Sequence, residues 1–248
     1  MRVLVVLPTY NESENIDEVL RRLRRAVPGA DILVVDDGSP DGTADRAEAL
    51  GAELGHVEVL RRPAKAGLGS AYRAGFRIGL ARGYDVFVEM DSDLSHDPDA
   101  LPSLLDAVAA GGDLAIGSRY VPGGRIPNWP WLRRAISRFG NLYARALLRI
   151  PVEDSTAGYR AYTRWALEHI DLDTVRADGY GFQVEMAYRV HRNGGRVVEV
   201  PIEFRDRELG TSKMSGRIVV EALVLVTWWG VRDRLGCRRA RRPASVTH

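Results

Sequence analysis

Five short runs in the first 120 residues are apolar almost without interruption: RVLVVLP, DILVVDD, HVEVLRR, DVFVEMD and DLAIGSR. Such runs predict strands covered on both faces, as in a parallel sheet. Between them the apolar period changes. Ile16, Val19, Leu20, Leu23 and Val27 recur at helical spacing within the stretch Glu14 to Val27, and Thr43 to Leu54 and Leu68 to Leu80 repeat the pattern. The alternation predicts an α/β fold, a mostly parallel sheet with helices on both faces.

Further on, Asp97 precedes Pro98 and the periodic run Leu101, Leu104, Leu105, Val108, which predicts a helix with Asp97 as its cap. Tyr120 to Trp131 is irregular and rich in proline and glycine, the composition of a functional loop. A helix over Trp131 to Leu148, a loop over PVEDSTAGYRAY, a helix over Phe182 to Asn193 and a strand pair or bent strand over GRVVEVPIEFRDR follow. After ELGTSKMSG comes a terminal helix and the basic tail RDRLGCRRARRP. The expected division is a main domain over residues 1–215 and an appended amphipathic helix with basic tail over 216–248.

Composition narrows the chemistry. Of 35 basic residues only Lys65 and Lys213 are lysines, and they nearly balance 33 acidic ones. With Cys237 alone no intrachain disulfide can form, and the five histidines lack metal-ligand spacing, so neither a disulfide framework nor a zinc site is expected. The N-terminal apolar run is too short for a signal-peptide core. The longest apolar run, IVVEALVLVTWWGV, is broken by Glu221 and falls short of the roughly 20 residues that span a bilayer. A cytoplasmic protein is the expectation.

In open α/β sheets ligands bind beyond the carboxyl ends of the strands. There the sequence places Pro8, Thr9, Tyr10, Asn11 and Glu12; then Asp36 to Ser39; then Asp91, Ser92 and Asp93; then Gly117, Ser118 and Arg119. The stretch EMDSDLSHDPD holds five carboxylates in eleven residues. Asp97 and Asp99 suit a helix start. Asp91 and Asp93, with Ser95, offer only oxygen donors, which suit a hard cation such as Mg²⁺ or Mn²⁺ completed by water and phosphate; a solvated turn is the plainer alternative.

LPTYNESENI, VVDDGSPDGT and MDSDLSHDP, in that order and spacing, resemble the nucleotide-diphospho-sugar glycosyltransferases of the GT-A type, whose fold is a Rossmann-like, mostly parallel sheet. MDSDLSHDP, GSRY, RRAISRFGN, STAGYRAY and GTSKMSG resemble more closely the polyprenyl-phosphate (dolichyl-phosphate) mannose synthases. The resemblance covers residues 2 to 216. It implies inverting transfer of mannose from GDP-mannose to a polyprenyl monophosphate. Pro8, Tyr10, Glu12, Val35 and Asp37 would hold the nucleoside; Asp91, Ser92 and Asp93 would meet the ribose and diphosphate. Asp93, Ser95 and Asp91 would ligate Mg²⁺ or Mn²⁺, although relatives vary at the position of Ser95. Arg207 and Lys213 look like the family's basic loop over the diphosphate. Arg119, Arg133 and Ser137 match its acceptor-phosphate contacts, so that Asp93, Arg119 and Arg133 would carry catalysis, and the DSTAGY loop would line the sugar pocket.

A lipid acceptor requires a membrane surface. Trp129 and Trp131 before Arg133, and Trp228 and Trp229 before Arg232, Arg234, Arg238, Arg239, Arg241 and Arg242, suit peripheral contact with a cytoplasmic leaflet. Some relatives carry further C-terminal membrane helices, so an integral-membrane anchor protein is a possible partner. Three alternatives stand beside this reading. UDP-glucose as donor keeps the fold. A non-catalytic membrane- or nucleic-acid-binding protein lacks any nucleic-acid motif, so no nucleic acid is expected as partner. Glycoside hydrolysis needs two carboxyls facing each other across a sugar, not two residues apart.

Overall fold

The computed structural model describes residues 1–205 and 216–235. The elements follow in the order β1 (Val3–Thr9), α1 (Ile16–Ala26), β2 (Asp31–Asp36), α2 (Thr43–Leu54), β3 (Val57–Arg61), α3 (Leu68–Ala81), β4 (Val86–Glu89), α4 (Leu101–Ala109), β5 (Leu114–Ser118), α5 (Trp131–Leu148), β6 (Arg160–Thr163), α6 (Arg164–Ile170), α7 (Gly179–Arg192), β7 (Val197–Pro201) and α8 (Gly216–Arg234). The seven strands form one sheet in the order β3-β2-β1-β4-β6-β5-β7.

β1 shows why the sheet is two-faced. Val3, Val5 and Leu7 belong to one apolar layer with Ile16, Val19, Leu20 and Leu23 of α1 and Leu101 and Leu104 of α4. Leu4 and Val6 point the other way, into a layer with Tyr72 and Phe76 of α3 and Phe182 of α7. A strand with both faces covered has no use for polar residues, hence the unbroken apolar run. Burying the four large side chains of α1 supplies roughly 6–12 kcal/mol, well beyond what helix propensity contributes. α3 lies close on the sheet because Gly75 faces it: a Cβ there would stand 2.5 Å from Val6 Cγ1.

Seven predicted elements fall within two residues of their expected bounds, and α2 and α5 match theirs. PVEDSTAGYRAY is not loop throughout: Arg160 to Thr163 form β6, pairing antiparallel with β4 and β5. Four residues pinned between two neighbours need no long periodic signal. α6 follows at once, capped by Thr163, whose hydroxyl oxygen accepts from Ala166 N–H. The region after β7 is a bent continuation, held by single bridges from Glu203 to Arg125 and from Phe204 to His96. α8 packs on α5 and α7 and buries Val226 and Trp229.

Candidate active site

The antiparallel course of β6 shapes the carboxyl edge of the sheet. Arg160, its first residue, pairs with Glu89 at the end of β4 and Ile116 in β5, so residues 154–159 arrive at that edge from the opposite direction. Arg160 itself is fully buried and holds this loop by its backbone: Nε donates to Ala157 O, Nη2 to Ser155 O and Nη1 to Gln183 O of α7, each at 2.7 Å.

On one side of the loop a cavity of about 230 Å³ opens beyond β1, β2 and β4. Pro8, Tyr10, Glu12, Asp37, Asp91, Ser92 and Asp93 all line it, so seven of the sequence-predicted donor residues come together. Ser92 Oγ donates to Pro8 O at 2.9 Å and ties the β4 turn to the end of β1. Val35 does not reach the cavity: its side chain is fully buried in the layer shared with α3, so it can serve only as support beneath. Arg207 and Lys213 lie outside the described residues.

Lys65, Gly67 and Leu68 also line this cavity. Lys65 Nζ stands 4.3 Å from the centroid of the Tyr10 ring, and Arg62 Nη1 donates to Asp37 Oδ1 at 2.8 Å. No motif in the sequence marks Lys65. The signal that points to it is its position just past the third strand, at the same sheet edge as the other candidates.

The acidic stretch separates into three roles. Asp97 accepts from Asp99 N–H (3.0 Å) ahead of Pro98, and Arg22 of α1 donates to both carboxylates, so these two are helix-start chemistry with their charge neutralised. Glu89 is wholly buried, and burial pushes its carboxyl up to about 7. Asp91 and Asp93 face the cavity.

These last two fit a hard cation by the chemistry of their donors. Both offer carboxylate oxygens at the cavity wall, and among the described residues no group of three or more His, Cys, Asp or Glu side chains converges to cage an ion. Such a set suits an ion that keeps waters and takes phosphate oxygens. Ser95 is placed differently from expectation. It is buried and absent from the cavity wall, and its Oγ donates to Asp93 Oδ1 at 2.6 Å while its N–H reaches the same oxygen at 3.0 Å. It orients Asp93. His96, which the sequence left unassigned, accepts Asp91 N–H at Nδ1 (3.1 Å) and stacks on Tyr159, fixing the turn from behind.

On the other side of the loop lies a smaller, mostly apolar cavity of about 70 Å³ between α5, α7 and α8. Arg119, Arg133 and Ser137 line it together, with Trp129, Ile136 and Val226 among its apolar walls. Arg133 lies over the Trp129 ring at 3.9 Å, and Ser137 Oγ accepts from Tyr120 Oη at 2.7 Å. Thr156 of the loop reaches this cavity too, while a Cβ at Gly158 would stand 3.9 Å from Asp91 Oδ2, so one short loop touches both sides.

Arg119 is not a simple open fork. Its Nε donates to Asp154 Oδ2 (2.7 Å), and its Nη2 to Asp154 Oδ1 (2.6 Å) and Thr156 Oγ1 (2.9 Å). This leaves Nη1 of Arg119 for a ligand. Asp154 does not line the sugar side of the loop; it is fully buried. Burial would raise its pKa, but the charge and hydrogen bonds of Arg119 outweigh this and hold it below the usual carboxylate value. Asn141 of α5 joins in, donating to Asp154 Oδ1 (3.3 Å) and accepting from Ser155 Oγ (2.9 Å) and Thr156 N–H (3.2 Å). The helix carrying Arg133 and Ser137 is thereby locked to the loop that holds Arg119.

The four tryptophans expected at a membrane divide. Trp129 and Trp229 are buried, against Arg133 and Tyr188 respectively, whereas Trp131 and Trp228 are 79% and 56% exposed. Among the described residues no helix is long and apolar enough to cross a membrane.

Residues 4–171 match the model for glycosyl transferase family 2. The chain is 58% identical to an undecaprenyl-phosphate mannosyltransferase of Micrococcus luteus over 241 residues, which is 97% of this chain and 99% of that protein. Its fold is shared by glucosyl-3-phosphoglycerate synthase from Mycobacterium tuberculosis, solved with Mn²⁺, UDP-glucose and glycerol 3-phosphate (TM-score 0.70, 22% identity, 93% of this chain and 80% of that one). It is shared also by a mannosyltransferase from Pyrobaculum calidifontis, solved with GDP-mannose and Mn²⁺ (TM-score 0.64, 20% identity, 98% and 66%).

Proposed function

Since the chain belongs to glycosyl transferase family 2, and within it to the polyprenyl-phosphate mannose synthases, we propose that it transfers mannose from GDP-mannose to a polyprenyl monophosphate with inversion at the anomeric carbon. One observation carries the reading: a cavity walled by Asp91 and Asp93 and a second cavity holding Arg119, Arg133 and Ser137 open at the same sheet edge, and one loop lines the second with Thr156 and comes close to Asp91 at Gly158. The names borne by the Micrococcus and Pyrobaculum proteins support the sugar and the lipid carrier.

The donor's nucleotide occupies the cavity of Tyr10, Glu12, Asp37 and Lys65, with its diphosphate toward Asp91 and Asp93. Asp91 and Asp93 hold a divalent ion, Mg²⁺ or Mn²⁺, with Ser95 orienting Asp93; the ion supplies positive charge for the leaving diphosphate. Arg207 and Lys213 belong to the donor side in the same reading. Arg133, Ser137 and the Nη1 of Arg119 hold the acceptor phosphate, and its prenyl chain leaves along the apolar walls.

A phosphate monoester carries most of its second negative charge at neutral pH. Its oxygen therefore attacks the anomeric carbon with no proton to remove. The new carbon–oxygen bond forms as the bond to GDP breaks, and that electron pair leaves on GDP. Fixing the nucleophile in line is the contribution of the two arginines. The main domain performs this transfer, while α8 lies against the cytoplasmic face of a membrane, an arrangement that suits the outward Trp131 and Trp228; most of the basic tail expected beside it lies outside the described residues.

The test is transfer of labelled mannose from GDP-mannose to a polyprenyl phosphate in detergent, with Mg²⁺, with Mn²⁺ and with chelator, beside UDP-glucose as rival donor. Metal-dependent label in the lipid phase from GDP-mannose alone is expected, and Asp93→Ala removes it without loss of fold. Preference for UDP-glucose, or equal transfer with chelator, refutes the donor or the metal assignment respectively.

A further inference from the structure

A second arginine-rich site lies across α5 from the acceptor cavity. A groove of about 410 Å³ runs between α5 and residues 120–127, lined by Tyr120, Arg125, Arg134, Arg138 and Glu203, with Arg119 at its base. No step of the proposed transfer uses it. Many surface arginines elsewhere are matched with carboxylates: Arg21 with Glu53, Arg46 with Asp17, Arg61 with Asp45 and Glu48, Arg82 with Glu58. In the groove they are not. Among the described residues Arg125, Arg134 and Arg138 form no ion pair, and Glu203, the one carboxylate in the lining, is taken by Arg205 at 2.9 Å.

The positions of these arginines are set without a ligand. Arg134 Nη2 donates to Ile126 O at 3.0 Å across the groove, and the Arg138 guanidinium lies 5.5 Å from the Tyr120 ring. At 100° per residue, Arg134 and Arg138 fall on one flank of α5 while Arg133 and Ser137 fall on the other side of the buried Asn141. The outward face beside the groove is apolar: Trp131, Leu132, Phe139 and Leu142 are between 54% and 79% exposed. A free phosphate would satisfy the groove and leave that face in water. A bilayer satisfies both.

We infer that this groove seats the phosphate of an anionic bilayer phospholipid, so that α5 lies in the headgroup layer with its apolar face toward the acyl chains. The inference rests on the membrane contact of the proposed function and adds to it a lipid class and an orientation. The orientation matters for transfer. A headgroup held on one flank of α5 places the acceptor cavity, on the other flank, at the same depth as the phosphate of a polyprenyl lipid in that leaflet.

The test is co-sedimentation of the full chain with vesicles of phosphatidylcholine alone and with phosphatidylglycerol added, together with transfer assays in the same vesicles and in neutral detergent micelles. The variant R125Q/R138Q leaves the Arg134 anchor in place. It should weaken binding to the anionic vesicles about twenty-fivefold, at fivefold per charge. Transfer in micelles should stay unchanged. The control R21Q/R46Q removes equal charge from α1 and α2 on the opposite face of the sheet and should change neither.

Equal losses in the variant and the control would reduce the effect to net charge and overturn the site. Equal binding of wild type to both vesicle types would also overturn it while leaving the membrane contact standing. Absence of binding to any vesicle would remove the membrane contact and this inference together. Displacement from anionic vesicles by millimolar glycerol phosphate at constant ionic strength would assign the groove to soluble phosphate instead.

Discussion

Asp154→Leu should separate the structural from the functional share of the Arg119–Asp154 pair. Arg119 is 7% exposed and Asp154 fully buried, so the single substitution leaves a guanidinium inside the protein without its carboxylate. Breaking a buried pair from one side costs about 3–5 kcal/mol. One further donor loses its acceptor, the N–H of Arg119, now 2.9 Å from Asp154 Oδ2; the Asn141 amide keeps Ser137 O and Thr156 Oγ1. In a domain of this length the loss corresponds to a Tm lower by about 10 °C. The double variant R119M/D154L removes both charges. It should recover most of the stability, short by about 1–3 kcal/mol for the orphaned N–H of Arg119, because apolar replacement of a whole buried pair is often neutral.

Transfer should not recover with it, since the acceptor phosphate has lost Arg119. Urea unfolding of the four proteins in the cycle gives the coupling energy, and steady-state kinetics with varied polyprenyl phosphate gives the acceptor KM. If D154L alone unfolds within 1 kcal/mol of wild type, the pair is not doing what its geometry says. If the double variant regains normal acceptor KM, Arg119 is a structural residue and leaves the proposed acceptor site. Because Asp154 is held below its ordinary pKa of 3.8, its contribution is complete above that pH and is lost as pH falls through the lower folded value.

Lys65→Ala should weaken GDP binding about tenfold by calorimetry and leave the acceptor KM alone; unchanged GDP affinity would remove Lys65 from the donor site. Glu89→Gln should stabilise the protein by roughly 3 kcal/mol at pH 8 and very little at pH 4, because a carboxyl raised from 4.5 to about 7 in the fold destabilises progressively as pH rises through that window. Equal effects at both pH values in urea unfolding would refute the buried-acid reading. Gly67→Ala should cost about 2 kcal/mol and impair donor binding: its φ is +93°, and a Cβ would stand 1.9 Å from Asp178 Oδ2, which belongs to the side chain that caps Gly69 N–H. A variant with wild-type stability would show that this turn relaxes freely.

What could be read from the sequence was whatever repeats or follows a strand. The buried strands announce themselves through unbroken apolar runs, and α1, α2, α3 and α5 through their period. β6 does not, because four residues held between two ready-made strands need no pattern of their own. The donor side was legible because its residues sit in local clusters just past β1, β2 and β4. Lys65 escaped only because the residues after β3 carry no carboxylate or motif to draw the eye. Contacts across long separations in the chain were not legible at all. Nothing near Arg119 announces Asp154, 35 residues on, nor does the run of tryptophans say that Trp129 and Trp229 turn inward while Trp131 and Trp228 do not.

The reversal of β6 also explains how one sheet edge can serve two substrates of like charge. Donor and acceptor both bring phosphates, and two such groups in one open crevice would repel each other. Because β6 enters antiparallel between β4 and β5, the residues before it cross the carboxyl edge between the two groups of side chains, anchored by Arg160 through the carbonyls of Ser155 and Ala157 and tied to α7 through that of Gln183. The carboxylates of Asp91 and Asp93 fall on one side and the guanidinia of Arg119 and Arg133 on the other. On the proposed reading the two sides differ in charge as well as shape: the cavity of Asp91 and Asp93 would take a phosphate together with a cation, the cavity of Arg119 and Arg133 a phosphate alone. On that reading the difference would sort the two substrates before any contact with sugar or base is made, and the loop that reaches both groups of side chains is held in place by a buried arginine on the strand behind it.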